Sequence, residues 1–313
     1  QWYKQAFAGF LELEQQSHDD KLQYRIGWLF LYGVGTGKDE AAAREWFERA
    51  SKLGNPHAQY QLARMILDAP SSTPEQTAQA LEWLTKAAEA GQDCAQYAFG
   101  KIYREGQEIE KDIQQAVELF TLAAEQGNSF AAFALGKLYL SGDAGLPIDP
   151  PSALKWLTFS AELGNQFAQY RLGKLLLQGE EVPKDTEAAI RWLTAAAEQG
   201  NQYAQYALGK LYLLGKEVPK DKSNAIKWFQ LAADQGNEYA KYFLEHMDDR
   251  LGQPPAAAVI SLLHHLANIF QEQSQPPSDG IRVAVDRKLL RKIKAKKIAQ
   301  GHKADDHEPE MKF

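Results

Sequence analysis

The sequence predicts an all-α protein: a right-handed α-solenoid superhelix of about seven stacked helix pairs, with a C-terminal capping helix and a basic tail. Three observations lead there. A motif recurs at spacings of 36 or 37 residues along most of the 313-residue chain. Each copy holds two stretches with helical apolar spacing. Gly, Asn and Asp mark the ends of those stretches at a fixed register. A period of this length signals a repeat array, because one helix pair cannot bury its own apolar face and must stack on neighbours.

The repeat is clearest when Ala153–Asp185 is set against Ala189–Asp221. Phe167–Leu177 reads as a first helix and ends at Gly179, and Glu180–Lys184 is a loop. Asp185 offers a side-chain oxygen to the free N–H groups of a second helix, Thr186–Gln199. That helix is expected to bury Ala189, Trp192 and Ala196. Gly200-Asn201 closes it, because glycine takes the left-handed conformation without steric cost. The same punctuation stands at Asp112 and Gly127, and at Asp221 and Gly236.

Three further rows keep the register. Trp46, Trp83, Trp156, Trp192 and Trp228 recur in the second helix, with Leu119 once in their place, and are expected in the core. Tyr24, Tyr60, Tyr97, Phe133, Tyr170, Tyr206 and Tyr242 recur in the first helix. So do Gly27, Gly100, Gly136, Gly173 and Gly209, with Ala63 in the second repeat. Glycine inside a helix costs about 0.5–1 kcal/mol relative to alanine, so its recurrence predicts close helix contact there. The row Ala58, Ala95, Ala131, Ala168, Ala204 and Ala240 predicts the same. Gln16–Asp20 lacks the Gly-Asn turn, and Glu245-His246 replace the expected Gly-Lys, as suits edge units. The expected divisions are a solenoid over 1–248, a capping helix over 249–275, and a linker and basic tail over 276–313.

The pattern A-x-x-W-[FL]-x-x-A-A-x-x-G-N-x-x-A-Q-Y-x-L-G-x-L-Y-x-x-G resembles the Sel-one-like repeat, a longer-looped relative of the tetratricopeptide repeat. The resemblance covers roughly Trp2–Asp248. It implies a protein-interaction scaffold. In the tetratricopeptide fold the first helix of each pair lines a concave groove, and the resemblance implies the same here. The tail VDRKLLRKIKAKKIAQGHKADDHEPE resembles the C-terminal end of relaxases from conjugative elements of Firmicutes. That resemblance implies an accessory module whose tail contacts DNA or the transfer machinery. The chain begins at Gln1 rather than Met, which fits a processed chain or a piece of a longer one. No relaxase motif, neither a triple-histidine metal site nor a nicking tyrosine beside one, is present.

Composition limits the chemistry. Hydrophobic residues make up 44% and charged residues 24%, which excludes disorder throughout. The 35 Lys+Arg against 41 Asp+Glu argue against a nucleic-acid binder charged over its whole surface. From Ile281 onward there are 10 basic and 5 acidic residues, so the preceding part carries −11. Lone Cys94 excludes intramolecular disulfides and Cys-based zinc cages. Apolar runs such as Ile26–Val34 are too short to span a bilayer. No signal peptide is visible, so the expected location is cytoplasmic rather than secreted.

No nucleophile, base and acid come together in the sequence, and the chain reads as non-enzymatic, without cofactor, metal or small-molecule substrate. His264-His265 are adjacent and point apart on a helix. His302, Asp305, Asp306 and His307 are ligand-like in type but sit in a polar end. Gly33–Lys38 faintly resembles a phosphate loop but lacks its spacing, and reads as the loop between two helices. Nothing marks Cys94 as an activated thiolate.

One constellation suggests binding. His57, Cys94, Phe130, Phe167, Tyr203 and Tyr239 precede the Ala row, and Arg64, Lys101, Lys137, Lys174 and Lys210 follow seven residues later. Seven residues are about two helical turns, so both rows share a face. Stacked repeats would set an aromatic ladder beside a cationic one, as in grooves that hold an extended or helical acidic segment of a partner protein. The alternative is that the aromatics pack between repeats and the lysines lie solvated over apolar surface. In the tail, Arg287, Lys288, Arg291, Lys292, Lys294, Lys296 and Lys297 surround a narrow apolar stripe of Leu289, Leu290, Ile293 and Ile298. This reads either as a helix pairing with the acidic repeat body or as a DNA contact without base specificity.

Overall fold

The computed structural model describes residues 2–69, 72–106, 109–143 and 145–245, and within them the chain forms fourteen helices in series. Two of them, α1 (Trp2–Ser17) and α2 (Asp20–Tyr32), open the array. They are followed by α3 (Glu40–Lys52), α4 (Pro56–Leu67), α5 (Pro74–Glu89) and α6 (Asp93–Glu105). The middle comprises α7 (Ile113–Glu125), α8 (Ser129–Ser141), α9 (Pro150–Glu162) and α10 (Gln166–Gln178). The array ends with α11 (Thr186–Glu198), α12 (Gln202–Leu214), α13 (Lys222–Asp234) and α14 (Glu238–Glu245). Even-numbered helices are the expected first helices and odd-numbered ones from α3 are the second. The architecture is an all-α solenoid. The expected capping helix over 249–275, and the linker and tail over 276–313, lie outside the described residues.

Capping fixes the helix starts. Asp185 Oδ1 accepts the Ala188 N–H at 2.9 Å, and Asp39, Asp112, Asp149 and Asp221 do the same for their second helices. Asn201 Oδ1 accepts the N–H groups of Tyr203 and Ala204 at the start of α12. These bonds satisfy donors that the helix itself leaves free. Gly200, at φ +92°, supplies the turn between α11 and α12. At the degenerate first turn, His18 takes φ +48°. Here Glu14 is buried and accepts from Gln23 Nε2 at 2.9 Å.

Second helices present an apolar stripe at i, i+4 and i+7: Ala189, Leu193 and Ala196 in α11, and Ala225, Phe229 and Ala232 in α13, all fully or almost fully buried. The expected Ala row of the first helices is fully buried too. The Gly row meets these stripes. A Cβ on Gly173 would lie 2.8 Å from Leu193 Cγ and 2.9 Å from the Ala189 carbonyl oxygen. The same position of α12, Gly209, faces the ring of Phe229. Close contact therefore falls between helices joined by the long loop.

The Trp row is placed differently from expectation. Trp192 is only half-buried, and its neighbour Leu193 is the core residue. Trp192 packs on the cluster of α9 and α10, and Trp228 on that of α11 and α12. The tryptophans thus tie each repeat to the one before, with one edge left to solvent.

A second tie is polar. Gln126 Nε2 donates to Gln96 Oε1 at 2.8 Å, Gln199 to Gln169 at 2.7 Å and Gln235 to Gln205 at 2.8 Å. Each accepting glutamine also donates to a backbone carbonyl: Ala88, Ala161 and Ala197. The buried amides are thereby satisfied on both sides, as burial requires.

Candidate interaction surface

Even-numbered helices lie side by side, joined by ring pairs. Tyr97 meets Phe130 at 6.3 Å, Phe133 meets Phe167 at 6.4 Å, Tyr170 meets Tyr203 at 6.0 Å and Tyr206 meets Tyr239 at 6.1 Å. Tyr24 meets His57 at 5.5 Å. Every pair is tilted, the geometry that aromatic quadrupoles favour over face-to-face stacking. Cys94 interrupts the ladder, and burial, then the Asp93 carboxylate, pushes its thiol up, away from thiolate character. His57 is exposed, whereas Phe130, Phe167, Tyr203 and Tyr239 are half-buried.

The cationic row lies on the same rings. The ammonium groups of Lys101, Lys137 and Lys210 sit 5.8, 5.8 and 5.9 Å from the ring centres of Tyr97, Phe133 and Tyr206, one turn back. Cations over ring faces are attracted by the quadrupole. The two predicted rows are therefore brought together through a third, the Tyr row. Arg64 Nε lies 3.6 Å from Asp68 Oδ2, so its charge is partly offset.

Burial pushes the Lys137 ammonium down to about 8, reinforced by Arg104 and Arg171. Burial also lowers Lys174, helped by Arg171 and Lys210, and lowers Lys210, helped by Lys216. Arg104 and Arg171 thus belong to the same positive field. Row-by-row reading misses them because they stand out of register; charge counted per helix would have found them. Across α4, α6, α8, α10 and α12 there are seven Lys and Arg against two Asp and Glu. Helices α5, α7, α9 and α11 reverse the balance, with eight carboxylates against three cations. Their N-cap residues Asp112, Asp149 and Asp185 add to it, while α8, α10 and α12 are capped by neutral Asn.

Segment 33–39, which includes Gly33–Lys38, connects α2 to α3, and its Gly35 leans on Tyr3 and Phe7 of α1, a structural role. Among the described residues, no three His, Cys, Asp or Glu are grouped to hold a metal. No helix among them is long and apolar enough to cross a membrane. The predicted DNA-contacting residues Arg287, Lys288, Arg291, Lys292, Lys294, Lys296 and Lys297 lie outside the described residues.

Comparison with known proteins agrees with this architecture. The Sel1 repeat matches six times, at residues 21–55, 56–92, 95–128, 129–165, 166–201 and 202–237. A Sel1 repeat protein from Oxalobacter formigenes is 33% identical over 74% of this chain, with a TM-score of 0.64. The protective antigen c5321 of uropathogenic Escherichia coli, which displays an SLR fold, is 27% identical over 94% of it, with a TM-score of 0.69. The chain covers 66% and 65% of those two proteins, a little under two thirds of each. No curated protein matches it. Proteins of this repeat class are generally protein-interaction scaffolds without enzymatic activity. With six tandem matches across most of its length, the chain belongs to the Sel1 repeat family.

Proposed function

We propose that this chain is a non-enzymatic scaffold that binds an acidic segment of a partner protein along the face of its even-numbered helices. The observation that carries this reading is the positive field over α4, α6, α8, α10 and α12, where lysines are half-buried, Lys137 and Lys210 on aromatic rings, and have lost part of their hydration. Carboxylates supplied by a partner would replace that hydration, and water-depleted ion pairs are worth more than solvated ones. The exposed edges of Phe130, Phe167, Tyr203 and Tyr239, with His57 at one end, offer anchoring area. Arg64, Lys101, Lys137, Lys174 and Lys210 steer the approach. Lone Cys94 suits a reducing, cytoplasmic setting.

The test is a triple substitution, Lys137→Glu, Lys174→Glu and Lys210→Glu, measured against a fluorescent peptide rich in Glu and Tyr. Association should slow by roughly tenfold or more, with the largest difference at low salt, because steering acts through unscreened charge. Melting should stay close to that of the parent. Early unfolding of the triple variant, or unchanged association, would refute the reading.

A further inference from the structure

The opposite layer of helices carries a groove of its own. Between α7 and α9 a cleft of about 750 Å³ is lined by Glu125, Pro151, Leu154, Trp156, Phe159 and Glu162, among others. Its apolar lining includes a position that varies from repeat to repeat. Three residues after the Trp position stand Arg49, Lys86 and Ala195 in α3, α5 and α11, but Leu122, Phe159 and Leu231 in α7, α9 and α13. Two successive second helices therefore present large apolar side chains at this register. Leu122 is 43% exposed, as is Leu163 one turn beyond Phe159. The rim is acidic: Glu125 of α7 and Glu162 at the end of α9 line it, and α7 carries no cation. Glu125 and Glu162 are exposed. Lys155, the one cation lining the cleft, lies over the Trp156 ring at 5.1 Å.

A ligand for this cleft needs a short apolar stripe flanked by cations. We infer that its occupant is the chain's own segment Arg287–Ile298, held by Glu125 and Glu162 against the apolar floor of α9. That segment joins Leu289, Leu290 and Ile293, at helical spacing, to seven Arg and Lys. The basic end of the chain is thereby matched to the acidic layer and repelled by the cationic one. Roughly 40 residues separate Glu245 from Arg287, and each can span up to about 3.3 Å, so α9, three repeats back, is within reach. Tethering raises the effective concentration to roughly the millimolar range, so individually weak contacts suffice. Occupancy covers the cations that would otherwise meet phosphates, so the docked state binds nucleic acid poorly. The even-numbered face stays open, so this inference is independent of the function proposed above.

The experiment is zero-length carbodiimide coupling of the full 313-residue chain, followed by peptide mass spectrometry. Carbodiimide joins only carboxylates and amines already in contact. The expected result is intramolecular links from Glu125 or Glu162 to Lys288, Lys292, Lys294, Lys296 or Lys297. Their yield should fall about fivefold or more between roughly 50 and 500 mM salt, as screened contacts do. In E125Q/E162Q, whose substitutions are exposed and leave the core intact, those links should also drop and short duplex DNA should bind more tightly. Links scattered over carboxylates elsewhere would overturn the inference. So would an absence of links at low salt, or links confined to dimers. DNA binding equally tight in the parent and in E125Q/E162Q would assign the segment to nucleic acid instead.

Discussion

Replacing Gly173 with alanine tests the packing on which the whole array depends. In an open helix the change is favourable by about 0.5–1 kcal/mol, because alanine loses less backbone entropy. At Gly173 the added Cβ would sit 2.8 Å from Leu193 Cγ and 2.9 Å from the Ala189 carbonyl oxygen. Carbon atoms pack best at about 3.5–4 Å, so a rotamer change at Leu193 relieves only one of the two contacts. The carbonyl belongs to α11 itself, and α10 and α11 must move apart by a few tenths of an ångström. Overpacking of this kind costs about 1–3 kcal/mol against a helical gain of about 0.5–1 kcal/mol, and two contacts under 3 Å, one of them to backbone, place the balance at a net loss of up to about 2.5 kcal/mol. Ala63, fully buried at the same register beside Leu84, shows that the array accommodates a methyl group where the local spacing allows it. Gly9 is the control: it lies inside α1 with nothing within 4 Å of its added Cβ. Urea and thermal unfolding, followed by circular dichroism, should show Gly173→Ala destabilised and Gly9→Ala unchanged or slightly stabilised. A Gly173→Ala protein as stable as the parent would refute the close-contact reading of the glycine row.

Two further outcomes follow from burial and charge. Leu193→Ala, at a residue 1% exposed, should cost about 2–5 kcal/mol, whereas half-buried Trp192→Ala should cost less than the 3–5 kcal/mol usual for a fully buried aromatic, both read from urea midpoints. The Lys137 ammonium titrates near 8 when folded and near its ordinary 10.5 when unfolded. Between those values the unfolded chain holds more protons, so the Lys137 contribution to stability rises with pH across that window. Binding of an acidic peptide should run the other way, weakening above pH 8 as the charge is lost. It should also take up a proton, since carboxylates favour the ammonium form. Calorimetry in two buffers of unlike ionisation heat would measure that uptake, and its persistence in Lys137→Arg would rule out Lys137 as the source.

Features governed by short-range geometry are legible along the chain. Helix starts at Asp185 and Asn201 are side-chain bonds to backbone two or three residues on, and a repeat with fixed punctuation makes such signals additive. Close contact at the Gly row was legible for a related reason: a penalty tolerated five times implies a compensating approach. Facing was harder to read. Trp192 and Leu193 are adjacent and both apolar, and one residue turns a helix by about 100°, so either fits an amphipathic stripe until the neighbouring helix is in place. The Gln96–Gln126 tie and the Tyr170–Tyr203 ring pair join residues about 30 positions apart, and their meeting depends on how one repeat stacks on the next. The positive field of Lys137 likewise combines Arg104 and Arg171 from two other repeats. These contacts come from the stacking of repeats, because charge and aromatic surface act through space, whereas periodicity records only position along the chain.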